Sequence, residues 1–101
     1  MPEFAKVQIT ASVEQALQED EITQPTAIQE AAIGEILAGH HVVLESGTGT
    51  GKTLAYLLPI LQRLAAEPLG RAVILTPSAE LAIQILGIAR RYKEENVRAC
   101  E

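Results

Sequence analysis

The sequence predicts an α/β domain in which short buried strands alternate with helices in the order β-α-β-α-β, a parallel, right-handed arrangement. Three observations carry that expectation. Apolar runs rich in β-branched residues, 42–44 and 71–76, lie between stretches with helical spacing. A glycine-rich turn, residues 46–53 (SGTGTGKT), separates the first run from the helix that follows. Aromatic residues make up 3% of a chain that is 48% hydrophobic, so its core must be built from Ala, Leu, Ile and Val.

Residues 11–19 read as a short helix with Val13 and Leu17 on one face and Thr10 or Ser12 as its cap. The acidic run Glu19, Asp20, Glu21 leads into a second helix starting near Thr26, and Gly39 supplies its stop. Val42, Val43 and Leu44 suit a strand buried on both faces. Residues 52–67 read as a helix that Pro59 should kink or bend. Residues 71–76 (RAVILT) form the second buried strand, and Pro77 and Ser78 open a helix over 79–94 with Leu81, Ile85 and Ile88 inward. Asn96 breaks it, and residues 97–100 look like the start of a third strand. A parallel sheet of about three strands, flanked by helices, is too small to be finished.

A chain of 101 residues can hold one domain and not two. Its net charge of −5 argues against a free-standing nucleic-acid binder. Cys100 is the only cysteine, so no internal disulfide can form and a reducing, cytoplasmic setting is expected. No basic stretch followed by an apolar run marks a signal peptide, and the apolar stretch 54–61, interrupted by Pro59, is too short to span a membrane. His40 and His41 read as a polar turn before a strand rather than a metal pair, and residues 90–93 (RRYK) as a solvated helix face rather than an RNA site.

The strongest chemical signal is the turn at 46–53. Gly47, Gly49 and Gly51 let the backbone curl so that N–H groups, with those of Thr48 and Thr50 between them, point inward at phosphate oxygens. Lys52 brings a positive charge to the β- and γ-phosphates, and Thr53 offers a hydroxyl to Mg2+. The next helix aims its positive end at the same anion. Ser46 stands where the general pattern has its first glycine, and a small residue suffices there. The turn thus reads as a P-loop for a nucleoside triphosphate and Mg2+.

With these motifs the sequence resembles the DEAD-box RNA helicases. Residues 21–29 (EITQPTAIQ) look like that family's Q motif, and Phe4 lies 17 residues before Glu21, the spacing of its isolated aromatic. Residues 46–53 match its form of the P-loop, and residues 77–82 (PSAELA) look like its motif Ia. The resemblance implies a partial RecA-like P-loop NTPase domain: residues 1–101 as the N-terminal portion of a helicase ATP-binding domain, truncated before the Asp-Glu-Ala-Asp motif. It implies that Gln29 hydrogen-bonds the adenine edge, that Phe4 packs on the adenine face, and that Pro77, Ser78 and Glu80 touch the RNA backbone. A fixed amide favours adenine over guanine, whose donor and acceptor are reversed. Other roles stay open on the residues alone. Thr26 and Gln29 also make a capping box, Phe4 could cover the first helix, and Ser78 and Glu80 could be only a cap and a first-turn acid.

Two departures weaken parts of the resemblance. Glu21 replaces the glycine that usually opens the Q motif, and Ala79 replaces the arginine of motif Ia, which removes a guanidinium suited to phosphate. The sequence contains no Asp-Glu-Ala-Asp segment, so no catalytic residue is expected in this chain. The expected function is the ATP-binding segment of an ATP-dependent RNA helicase, whose parent hydrolyses ATP, unwinds RNA and carries a second RecA-like domain. Alternatives are a stand-alone nucleotide-binding module and a DNA helicase of a related superfamily, against which the Q motif argues. The segment 42–45 would lack a strand partner, from which a homo-oligomer of the isolated chain is expected.

Overall fold

Four helices, in a computed structural model, form the frame: α1 (Ala11–Glu19), α2 (Ala27–Leu37), α3 (Lys52–Ala66) and α4 (Ala79–Tyr92). The structure describes residues 10–45, 47, 51–94 and 96–100. Three helix starts are set by their caps: the side chains of Thr10, Thr26 and Ser78 accept from the backbone N–H three residues on. The expected bounds of 52–67 and 79–94 run one and two residues too far, within the fraying range of helix ends. Pro59 does not interrupt α3; it is wholly buried inside it. At the far end of α3, Asn96 Nδ2 donates to the Ala65 carbonyl (2.9 Å), one of the acceptors a helix C-terminus leaves over.

Helix α3 is the centre, with α2 on one side and α4 on the other, and α1 packs on α4. Leu17, Ile33, Leu57, Leu58, Leu61, Ile85 and Ala89 form one buried cluster with Tyr92 and Val97. Ile85 is buried as expected, and Leu81 and Ile88 lie partly buried against the cluster.

The expected parallel sheet of about three strands is not confirmed: among the described residues there is no strand. Residues 42–44, 71–76 and 97–100 carry no ladder of backbone hydrogen bonds to one another. Nor are the first two buried on both faces. Val43, Val73 and Leu75 are 89%, 83% and 91% exposed. The period-two pattern nonetheless survives: Ala72, Ile74 and Thr76 line a groove with Leu57, Leu61 and Ile85, while Val73 and Leu75 point away. The segments therefore have one face on helices and the other open, and a strand needs a hydrogen-bonded neighbour as well as an apolar face. The radius of gyration, 12.9 Å, is close to the ~13 Å of a folded chain of this length.

The ends of α1 and α2 share one geometry with different residues. After α2, Gly39 takes φ +88°, with Gly39 N–H on the Ile36 carbonyl and His40 N–H on that of Glu35. After α1, Glu21 takes φ +62°, with Glu21 N–H on the Gln18 carbonyl and Ile22 N–H on that of Leu17. Both are Schellman ends, which call for glycine at the left-handed position. Glu21 is the non-glycine exception among the described residues. A side chain there costs about 1–2 kcal/mol, of which Gly returns about 0.4–1 through the flexibility of the unfolded chain. Glu21→Gly is thus expected to stabilise the chain by about 0.5–1 kcal/mol and raise the melting temperature roughly 2–8 °C, checked by thermal denaturation.

Candidate nucleotide site

The site forms where the start of α2 meets the start of α3. Thr26 and Gln29 make a complete capping box: Gln29 N–H donates to Thr26 Oγ1 (3.4 Å) and Thr26 N–H donates to Gln29 Oε1 (2.9 Å). The other end of the amide, Gln29 Nε2, donates to the Gly51 carbonyl across the site (3.1 Å). An N–H on one end and a carbonyl on the other fix the orientation of the amide. At 2% exposure Gln29 is the only polar residue in the core of the described chain, and such burial requires satisfied polar atoms.

Gly51 caps α3 in the left-handed region, φ +81° and ψ 23°. A Cβ at Gly51 would overlap Gln29 Nε2 and lie 3.1 Å from the Thr26 methyl carbon and 3.2 Å from Thr26 Oγ1. Glycine is thus required here both by φ and by the close approach of α2. Gly51 has no side chain with which to cap α3, and among the described residues no side-chain cap is seen there; a helix N-terminus of this kind suits an anion. Lys52, the first helical residue, is exposed there, and Thr53 is partly buried beside it. Tyr56, one turn along α3, hydrogen-bonds Thr53, and burial of its ring pushes the phenol above its usual range. No sequence reading singled out Tyr56; its i+3 spacing from Thr53 is the signal that could have.

Gly47 is exposed. Phe4, Ser46, Thr48, Gly49 and Thr50, also expected at the nucleotide, lie outside the described residues. Pro77, Ser78 and Glu80, the expected RNA-facing set, lie exposed at the start of α4. Ser78 Oγ accepts from Leu81 N–H (3.2 Å), so it caps the helix whatever else it touches. Residues 90–93 are not simply a solvated face. Tyr92 is buried, its hydroxyl donates to Asp20 Oδ2 (2.5 Å), and Arg91 pairs with the same carboxylate. His40 Nδ1 sits 2.6 Å from Glu35 Oε2, and among the described residues no cluster of three His, Cys, Asp or Glu could hold a metal.

Two carboxylates, exposed Asp20 and half-buried Glu94, tie α1 to the end of α4. The Tyr92 hydroxyl, then Arg91, holds the Asp20 carboxyl below the usual range; the hydroxyls of Ser12 and Thr10 do the same for Glu94. Depressed carboxyl values add stability above about pH 4 that is lost as the pH falls through the folded values. Tyr92 moves the other way, pushed up to about 12 by burial and by its bond to Asp20. Its contribution is complete below about pH 10 and lost as the pH rises toward that value. Melting temperatures followed from pH 3 to 11 are expected to drop at both ends, and Tyr92→Phe to flatten the alkaline drop.

The sequence profile of DEAD/DEAH box helicases matches residues 26–101, which is most of the chain. The chain belongs to this family. Among curated DEAD-box relatives it is similar to the human "Probable ATP-dependent RNA helicase DDX28", with 43% identity over 86% of this chain and 18% of that protein. It is also similar to the Escherichia coli "ATP-dependent RNA helicase SrmB", with 47% identity over 86% of this chain and 21% of that protein. Two solved DEAD-box structures share the fold. One is a DEAD box protein from the hyperthermophile Methanococcus jannaschii, with TM-score 0.80 and 26% identity over 92% of this chain and 26% of that one. The other is Saccharomyces cerevisiae Dbp5 bound to RNA and ADP BeF3, with TM-score 0.77 and 29% identity over 91% of this chain and 24% of that one. The chain spans about a fifth of the length of the curated relatives it matches. Its helices thus adopt the arrangement of a DEAD-box RecA-like domain without the sheet pairing.

Proposed function

We propose that the chain is the ATP-binding segment of an ATP-dependent RNA helicase, in which ATP binding and hydrolysis by the parent protein drive RNA duplex unwinding. The observation that supports this best is the Gln29–Gly51 contact, which joins the would-be base reader directly to the phosphate-binding loop. An amide has two N–H groups and two lone pairs. Thr26 and Gly51 use one of each. One donor and one acceptor remain for adenine, so capping and base reading are compatible roles. Phe4 would stack on the base. Ser46, Gly47, Thr48, Gly49, Thr50 and Gly51 would wrap the phosphates, and Lys52 would neutralise them.

The residues present suit Mg2+ as it is usually held, by few protein ligands together with substrate phosphates and water. Thr53 would supply the protein oxygen, with its hydroxyl oriented by Tyr56. When bound, Mg2+ neutralises charge on the phosphates. Pro77, Ser78 and Glu80 would meet the RNA backbone, with a weaker grip than usual because Ala79 has no guanidinium. In the parent, later strands would pair with 42–45, 71–76 and 97–100 to complete a parallel sheet and cover Val43, Val73 and Leu75. A second RecA-like domain would close on the nucleotide.

Calorimetric titration with Mg-ATP tests the reading. The 101-residue chain is expected to bind, Lys52→Ala to weaken binding at least roughly tenfold, and neither protein to hydrolyse ATP above background. The groups that align water and stabilise the transition state lie elsewhere in the parent. Lys52-dependent turnover by the chain itself, or binding unaffected by Lys52→Ala, would contradict it.

A further inference from the structure

Helix α1 is fastened to the C-terminal end of α4 at two places. At its end, Asp20 accepts from the Tyr92 hydroxyl (2.5 Å) and from Arg91 Nη2 (3.1 Å), with Arg91 Nε also 3.1 Å from its second oxygen. Arg91 Nη2 additionally donates to the Ala16 carbonyl (3.3 Å). At its start, Thr10 and Ser12 donate to Glu94 Oε1 (2.7 and 2.5 Å). Nothing in the nucleotide chemistry requires either attachment, yet Asp20 immediately precedes the strained Glu21 that opens the 21–29 segment.

Between Glu21 and the cap Thr26 lie only four residues. Ile22 is tied by its N–H to Leu17 and packs on the core. Pro25 fixes its own φ and keeps Gln24 out of the helical region. This connector has little slack, so the position of the α1 end is passed on to Thr26 and Gln29. A left-handed non-glycine persists only when its surroundings over-determine it, and the clamp on the preceding residue does that.

We propose that Asp20, Arg91 and Tyr92 are positioning residues that set the 21–29 segment over Gly51, and so set how well Gln29 reads an adenine base. Because α4 begins at the 77–82 segment and ends at this clamp, one rigid helix connects the exposed Ser78–Glu80 end of the chain to the base reader. The proposal rests on the reading of Gln29 given above.

The test uses the 101-residue chain and the variants Asp20→Asn, Tyr92→Phe and Glu94→Gln, the last loosening only the start of α1. Affinities for ATP, GTP and inorganic tripolyphosphate are measured with Mg2+, and hydrogen exchange of the Gln29 side-chain amide is followed by NMR without nucleotide. Asp20→Asn and Tyr92→Phe are expected to lower the ATP-to-GTP affinity ratio roughly threefold to tenfold, leave tripolyphosphate affinity nearly unchanged and speed exchange at Gln29. Glu94→Gln is expected to lower the melting temperature without changing the ratio. An unchanged ratio and unchanged Gln29 exchange in the two clamp variants, despite lower melting temperatures, would overturn the proposal and leave the clamp a purely structural device. If wild type shows no preference for ATP, the base-reading role of Gln29 fails and the selectivity claim is overturned with it. Gln29 exchange in Asp20→Asn then decides separately whether the clamp positions the segment.

Discussion

Gln29→Ala is expected to lower the melting temperature by roughly 8–24 °C and to erase the preference for ATP over GTP together. The magnitude follows from what the side chain does in the unliganded chain. Truncation leaves the Thr26 N–H and the Gly51 carbonyl without their partner and opens a hole at a site only 2% exposed. Each lost hydrogen bond costs about 1 kcal/mol and the unfilled space adds a similar amount, for a total of about 2–3 kcal/mol. In a domain of this size each kcal/mol moves the melting temperature by about 4–8 °C. A residue serving only as a helix cap would cost about 1 kcal/mol, and ATP and GTP affinities would then fall in parallel. Melting curves and titrations with both nucleotides separate the two outcomes.

Gly51→Ala is expected to be the most damaging substitution at the site, abolishing measurable ATP binding and destabilising the chain by more than Gln29→Ala. The new Cβ overlaps Gln29 Nε2 and crowds Thr26, at a φ of +81° that itself costs a side chain about 1–2 kcal/mol. Relief requires either the amide or the start of α3 to move, and both belong to the site. The double variant Gly51→Ala, Gln29→Ala, which removes the overlapping group, is expected to recover part of the stability and none of the nucleotide binding. Thermal melts of the two single variants and the double variant, with ATP titrations, check this.

The helices were readable because their signals are local. Thr10, Thr26 and Ser78 each bond a backbone N–H three residues away, and apolar residues at helical spacing mark the buried faces. The strands were not, because an alternating apolar pattern reports which way side chains point and not whether a neighbour is there to pair. Ala72, Ile74 and Thr76 face the helices as a strand would, yet no ladder joins them to another segment. The substitution of Glu21 for the usual glycine was visible in the sequence, but its consequence, a left-handed Schellman end, needed the backbone. The link between Asp20 and Arg91 spans 71 residues and had no signature at all; RRYK looked like a charged surface because Tyr92 was read with its neighbours rather than with α1. At the candidate site, spacing offered Gln29 a capping role and the family resemblance a base-reading one; the capping contact is present, and the amide's remaining donor and acceptor leave the second role open to test.

In the proposed function, base recognition and the phosphate-binding loop meet in the Gln29–Gly51 contact. The most direct measurement is a titration of Mg-ATP into the isotopically labelled chain, following the backbone amides of Gly51, Lys52 and Thr53 and the side-chain amide of Gln29 by NMR. All four signals are expected to move with a single half-saturation point under ATP, whereas GTP is expected to move the three backbone signals and leave Gln29 near its unliganded position. Movement of the backbone signals under ATP with Gln29 unmoved, or no movement at 51–53 at all, would contradict that reading.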